Sequence, residues 1–234
     1  MTTLVLMAAG LGRRSELPRG DHKMLQRVGN SSLLGNLITA ADDSQHFSAI
    51  VVDLGNAHQA VVGLVEAAID GRASIRRGAR SGYLADTVMW GRRLEAAFIA
   101  VDADIWAPKE QLSRCFADAA RSDDAAIAHT PANAANTRDP RSGWVDLDAQ
   151  SYIRTHRRAS EPAYPNCTIG LRRISQSFHR FLEDRLDSGV TSITRCMNDY
   201  LGAGGAIWSP LLADAVNVNS PQDLRCACDL AGVS

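Results

Sequence analysis

Apolar runs and helical stripes alternate along this chain. Leu4-Val5-Leu6-Met7-Ala8-Ala9 is a continuous apolar run that stops at Gly10, which predicts a strand buried on both faces. Leu11 to Arg27 is polar, with Gly, Pro and several charges, and reads as a long loop. Leu33, Leu34, Leu37, Ile38 and Ala41 then recur at helical spacing. Ile50-Val51-Val52 predicts a second buried strand, and Ala57 to Ile69 a helix with Val61, Leu64, Val65 and Ala68 inward. Ala73-Ser74-Ile75 is a short strand and Thr87 to Ala96 a helix. Ala97 to Val101 is a further buried strand ending in Asp102-Ala103-Asp104. Gln111 to Ala120 is a helix and Ala125 to His129 a strand.

Strands alternating with helices predict a parallel sheet covered on both faces. Ligands of such sheets bind beyond the carboxyl ends of the strands. Gly10 to Lys23 and Asp102 to Asp104 both follow such ends, so the two segments are expected to face one pocket. Ala132 to Ser142 reads as a loop. From Gly143 to Arg173 short alternating segments replace the pattern, as in Trp144-Val145-Asp146-Leu147 and Thr168-Ile169-Gly170-Leu171. These are expected to form antiparallel strands of a lid or edge. Helical patterns return at Phe178 to Leu186 and Ile193 to Leu201. Short strands follow at Ala206 to Trp208 and Ala215 to Val218. Ser220-Pro221-Gln222-Asp223 then opens a last helix, with Ser as N-cap, Pro in the first turn and Asp223 at the capping-box position.

The 234 residues fit one large domain with a small insertion. Its bounds are taken as 1–234, with a substrate-side insertion around 132–173. Lys plus Arg number 25 and Asp plus Glu 26, a net charge of -1. That balance gives no global attraction for nucleic acid or an anionic membrane. Five cysteines include no C-x-x-C pair, which argues against a disulfide framework or a thiolate zinc site. The first apolar run is too short for a signal peptide or membrane span, and a cytoplasmic location is expected. The six histidines show no H-x-x-x-H spacing, which disfavours a histidine metal site. Nothing in the sequence decides whether the chain forms a homo-oligomer.

The chemistry concentrates at the first strand end. Gly10-Leu11-Gly12-Arg13-Arg14 is followed by His22-Lys23-Met24-Leu25-Gln26-Arg27-Val28-Gly29. Glycines let backbone N–H groups approach a phosphate. Arg14 can fork onto phosphate oxygens, and Lys23 supplies a point charge. A dinucleotide-binding G-x-G-x-x-G would need glycine where Ser15 stands, and a P-loop would need Gly-Lys-Ser/Thr. The incomplete motif disfavours a nicotinamide-dependent oxidoreductase.

Together these segments resemble the nucleotidyltransferase superfamily with a GT-A-like fold. It includes sugar-phosphate nucleotidyltransferases, phosphocholine cytidylyltransferases and molybdenum-cofactor nucleotidyltransferases. The family signature, Leu-Ala-Ala-Gly-x-Gly-x-Arg and then Pro-Lys, is matched by Met7 to Arg14 and by Lys23, with His22 in place of proline. The resemblance implies a Rossmann-like α/β fold with a mainly parallel sheet. It implies phosphate binding by Arg14 and Lys23, and nucleotide contacts from Met7, Ala8, Ala9, Gly10, Gly12 and Arg13. Val101-Asp102-Ala103-Asp104 looks like the family's metal-binding strand end, with Asp104 favoured as ligand and Asp102 the alternative. Asn217-Val218-Asn219-Ser220-Pro221 is similar to the segment carrying a second ligand, here Asn219. Gly82 to Thr87 sits where the family touches the base, which implicates Gly82, Asp86 and Thr87, although its residues depart from the family forms. Pro165 to Arg172 resembles a strand facing the acceptor, which implicates Asn166 and Gly170.

The implied activity is NMP transfer from an NTP to a small phosphorylated acceptor, with Mg²⁺ or Mn²⁺ and release of pyrophosphate. The implied acceptors are a sugar 1-phosphate, a phosphocholine-like alcohol phosphate or a phosphonate. A molybdenum-cofactor guanylyl- or cytidylyltransferase and a nucleotide-binding module without catalysis remain alternatives.

Overall fold

The computed structural model describes residues 2–8, 22–57, 59–77, 82–132, 143–158 and 164–233. In chain order the strands are β1 (Thr2–Met7), β2 (Arg27–Val28), β3 (Ser31–Ser32), β4 (Phe47–Asp53), β5 (Ser74–Arg76), β6 (Phe98–Asp102), β7 (Ile105–Trp106), β8 (Ala125–Pro131), β9 (Gly143–Leu147), β10 (Ile153–Arg158), β11 (Asn166–Ile174), β12 (Ile207–Trp208) and β13 (Val216–Asn217). The helices are α1 (Leu33–Ser44), α2 (Gln59–Ile69), α3 (Tyr83–Leu94), α4 (Lys109–Arg121), α5 (Gln176–Asp187), α6 (Ile193–Gly202) and α7 (Pro221–Leu230).

The buried apolar runs become the centre of the sheet. Its order is β10-β9-β11-β6-β1-β4-β5, and β8 lies along β11 with β12 beside it. β5, β4, β1 and β6 run parallel, as the alternation with helices requires. Leu4 and Leu6 face α1, α2 and α4, packing with Leu34, Val61 and Phe116. Val5 faces the other way, toward α3, α5 and α6, with Val88, Phe178 and Met197. Strand side chains alternate between faces, so a strand buried on both sides must be apolar throughout. Burial of a leucine or phenylalanine such as Leu6 or Phe178, at 0% and 1% exposure, contributes about 1.5–3 kcal/mol.

Two elements differ from the sequence reading. Helix α3 begins at Tyr83 rather than Thr87. Its N-cap is Gly82 at φ +117°, with no side-chain cap bond, so the usual Ser/Asp/Asn start signal is missing. The segment expected as a lid or edge divides. β9 and β10 form the sheet edge, whereas β11 is interior. Leu171 to Ile174 pair antiparallel with β6, while Asn166 and Cys167 pair with β9. Along that side of β11, Thr168 to Gly170 have no ladder partner among the described residues. Asp102, the last residue of β6, lies beside this gap in the ladder.

A small two-stranded ladder, β7 with β13, stands off the carboxyl end of the sheet. It is held by Trp106, Val216 and Val218, which pack with Leu33 and Ala227. Among the described residues no helix is long and apolar enough to cross a membrane. Cys115, Cys167 and Cys196 are buried. Burial pushes Cys115 up to about 12, which leaves it an unreactive thiol.

Candidate active site

Residues 9–21, including Ala9, Gly10, Gly12, Arg13 and Arg14, lie outside the described residues. The flanks of this segment are placed. Met7 ends β1 between Asp53 of β4 and Asp102 of β6. The Ala8 amide donates to the Asp53 carbonyl at 2.9 Å. The segment thus leaves from the middle of the sheet, at the carboxyl ends of its parallel strands. Lys23 follows it at the start of a 3₁₀ turn, Lys23–Leu25, whose Met24 is buried in the core.

The Lys23 ammonium bridges two distant segments. Nζ donates to Asn219 Oδ1 at 2.6 Å and lies 3.3 Å from Asp104 Oδ2. Side chains of Lys23 and Asp104 are 18% and 30% exposed, so water screens the pair only partly. Asp104 and Asn219 meet through the β7–β13 ladder. Asn217 pairs with Ile105, and the Val218 amide donates to the Asp104 carbonyl at 2.8 Å. The capping box of α7 fixes the Asn219 backbone from the other side. Asp223 Oδ2 accepts from the amides of Asn219 and Ser220 at 3.0 and 2.9 Å, and Ser220 Oγ accepts from the Asp223 amide. Burial, reinforced by the Asp102 charge, raises the Asp104 carboxyl above its ordinary range against the pull of Lys23.

Asp102 is turned away from this cradle. Both of its carboxylate oxygens lie 3.4 Å from Arg172 Nη1, on β11. The same Nη1 donates to the Tyr83 hydroxyl at 2.5 Å, and the guanidinium sits 4.8 Å from the centre of the Tyr83 ring. A Cβ built on Gly170 would overlap the Asp102 carboxylate. The glycine therefore makes room for an aspartate of this chain. Burial raises the Tyr83 phenol, with Arg172 opposing. Burial works against the charge of Arg172, but Tyr83 and Asp102 more than offset it and hold its pKa above the usual value.

The remaining sequence candidates are dispersed. Thr87 is fully buried and donates to the Tyr83 carbonyl inside α3 at 2.8 Å. Asp86 is buried in the first turn of α3, where the helix dipole favours a carboxylate. Asn166 pairs with Pro131 and Val145 in the sheet. Arg172 and Tyr83 were not among the residues singled out from sequence. Their signal was available: Arg172 lies two residues beyond Gly170 and shares its face, while the apolar Cys167, Ile169 and Leu171 alternate on the other.

Among the described residues no group of three or more His, Cys, Asp or Glu could hold a metal ion. Asp104 and Asn219 nonetheless offer one carboxylate and one amide oxygen, with a cation already between them. Mg²⁺ commonly takes only one or two protein oxygens and completes its shell with water and substrate phosphates. The donor set therefore fits that ion.

A scan of protein-family models finds no match for the chain, and a search of curated proteins finds none. Solved structures do match. The inositol-1-phosphate CTP transferase from T. maritima superposes with a TM-score of 0.74 at 14% identity, covering 100% of this chain and 98% of that one. A UDP-glucose pyrophosphorylase complexed with UDP-glucose gives a TM-score of 0.75 at 11% identity, over 99% and 98% of the two chains. HddC from Yersinia pseudotuberculosis gives 0.70 at 16% identity, over 98% and 99%. The chain has a nucleotidyltransferase fold. The likeness extends over nearly the full length of the chains compared.

Proposed function

We propose that this protein transfers an NMP group from an NTP to the phosphate of a small acceptor and releases pyrophosphate. The observation that carries the reading is the meeting of Lys23, Asp104 and Asn219 at the carboxyl end of a nucleotidyltransferase-type sheet. Two structural neighbours are by name a CTP transferase acting on inositol 1-phosphate and a UDP-glucose pyrophosphorylase, and both names describe this class of reaction.

In the reaction an acceptor phosphate oxygen attacks the α-phosphorus of the NTP. A new P–O bond forms as the bond to the β-phosphate breaks, and pyrophosphate departs with the bonding electrons. A phosphate monoester has a second pKa of about 6, so the nucleophile arrives charged and no general base is required. The difficulty is bringing two polyanions together, and catalysis rests on positioning and charge neutralisation. Lys23 exchanges Asp104 and Asn219 for the β- and γ-phosphates and stabilises the leaving pyrophosphate. Arg14, from the segment that precedes it, adds a fork to the same phosphates. Asp104 and Asn219, once released by Lys23, are the residues that would hold a divalent cation, Mg²⁺ or Mn²⁺. Such an ion would supply positive charge to the phosphates. The backbone from Met7 to Gly12 and Gly82, ahead of α3, flank the base, whereas Asp86 and Thr87 are buried within α3.

Pyrophosphate release across a panel of four NTPs and acceptors tests the reading. The acceptors are hexose 1-phosphates, inositol 1-phosphate, phosphocholine, small phosphonates and molybdopterin. Release with one NTP–acceptor pair, abolished by chelator, is the expected result. Tight NTP binding without release for any acceptor would instead mark a nucleotide-binding module.

A further inference from the structure

We propose that Arg172 binds the phosphate of the acceptor, and that Asp102, Tyr83 and Gly170 hold its guanidinium in place for that task. This rests on the nucleotidyl-transfer reading above. Among the described residues, every side-chain hydrogen bond of Arg172 runs through Nη1, to Tyr83 and Asp102. Nη2 and Nε are left to donate as a parallel pair, the geometry that suits two phosphate oxygens. The side chain is 16% exposed, so it is ordered by its neighbours yet still opens onto solvent.

Its surroundings lock the head group in one orientation. The Tyr83 ring supports one face at 4.8 Å, and the Asp102 carboxylate grips one nitrogen. That carboxylate can lean under Arg172 only because residue 170 has no side chain. On the β6/β9 side of β11, Thr168 to Gly170 have no ladder partner among the described residues beside this cluster, while Thr168 stays paired with His129 on the β8 side.

The location suits an attacking phosphate. Asp102 and Asp104 are two residues apart, so their Cα atoms lie within about 7 Å. Two cation–carboxylate pairs, Arg172 with Asp102 and Lys23 with Asp104, thus flank Ala103. In-line displacement needs the attacking oxygen and the leaving pyrophosphate on opposite sides of the α-phosphorus. Lys23 serves one polyanion and Arg172 the other. Both oxygens of Asp102 are turned to Arg172, which makes Asp102 a positioning residue and leaves the metal to Asp104. The shared chemistry recognised is a phosphate monoester, whether its alcohol is a sugar or choline.

The test compares wild type with Arg172→Gln, Arg172→Lys and Gly170→Ala, varying glucose 1-phosphate or phosphocholine at saturating NTP and then the reverse. Loss of charge-assisted bonds to phosphate should raise the acceptor KM of Arg172→Gln about 10- to 100-fold, with the NTP KM within about twofold. Arg172→Lys, which keeps the charge without the fork, should recover part of the loss, and Gly170→Ala should show a smaller rise in the same constant. A rise confined to the NTP KM, or no change, would overturn the assignment. Calorimetric titration with inorganic phosphate decides the point separately from turnover. Weaker binding to Arg172→Gln than to wild type supports the subsite, and equal binding rejects it. Absence of pyrophosphate release from wild type would overturn only the nucleotidyl-transfer reading.

Discussion

Replacing Lys23 by Met should turn a self-satisfied cation cradle into an open one. Nζ lies 3.3 Å from Asp104 Oδ2 and 2.6 Å from Asn219 Oδ1. At an effective dielectric of about 20 the gross attraction to Asp104 is about 5 kcal/mol. Desolvation and side-chain ordering consume most of that, and hydrogen bonds to a charged group retain about 1.5–3 kcal/mol. For a chain of this length, 1 kcal/mol shifts Tm by roughly 2–4 °C, so the ligand-free variant should melt about 3–12 °C below wild type. Mg²⁺ should reverse part of that loss. In wild type the ammonium competes for the two oxygens, and Lys23→Met removes that competitor. Stabilisation by a ligand follows RT ln(1 + [L]/Kd), about 2.7 kcal/mol at a hundredfold excess over Kd. Scanning calorimetry with 0, 1 and 10 mM MgCl₂, concentrations chosen on the order of a weak carboxylate site, reads the effect directly. A larger Mg²⁺ shift in the variant than in wild type is expected, alongside loss of turnover. Equal shifts in both proteins would show that the two oxygens do not form a divalent-cation site.

Asp104→Asn should lower turnover by about 10²–10³, and raising Mg²⁺ should restore part of it; undiminished activity would remove Asp104 from the site. The Trp90 indole donates to Asp53 Oδ2 at 2.5 Å, and the Gly55 amide to Oδ1 at 3.0 Å. Trp90→Phe strips one donor from that buried carboxylate and should cost about 2–3 kcal/mol, read as a lower urea midpoint with unchanged m-value. His156 is pushed down to about 4 by burial, with Arg172 and Arg158 adding to the effect. The unfolded chain takes up this proton near pH 6.5 and the folded chain does not, so stability is lost as pH falls from 6.5 toward 4, by on the order of 3 kcal/mol. Unfolding free energies of wild type and His156→Gln should therefore diverge in slope over that window, and parallel curves would contradict it.

The parallel half was legible because its strands are buried on both faces. Leu4 to Met7 and Phe98 to Val101 admit no polar residue, and helical stripes punctuate them. The last helix was legible because Ser220, Pro221 and Asp223 are local signals, and the capping box forms as read. The antiparallel half was harder. β11 carries Arg172 and Arg173 in its interior, a charge pattern that reads as an edge. Arg173 resolves its charge by donating to the carbonyls of Ala119 and Ala120, partners 53 and more residues away that no local pattern announces. The same holds at the candidate site. Lys23, Asp104 and Asn219 could be picked by type and resemblance. That Asp102 belongs to Arg172 depends on a missing Cβ at Gly170 and a break in the β-ladder, which appear only once the sheet is assembled.

The bond from Lys23 to Asn219 spans 196 positions of sequence. Contacts of such separation carry a large loop-closure cost and tend to form late. During refolding the sheet and its helices can reach native circular dichroism while the two ends of the chain are still apart. Return of enzymatic competence should then lag the spectroscopic signal, and a nick in α7 should silence the protein while sparing most of its secondary structure.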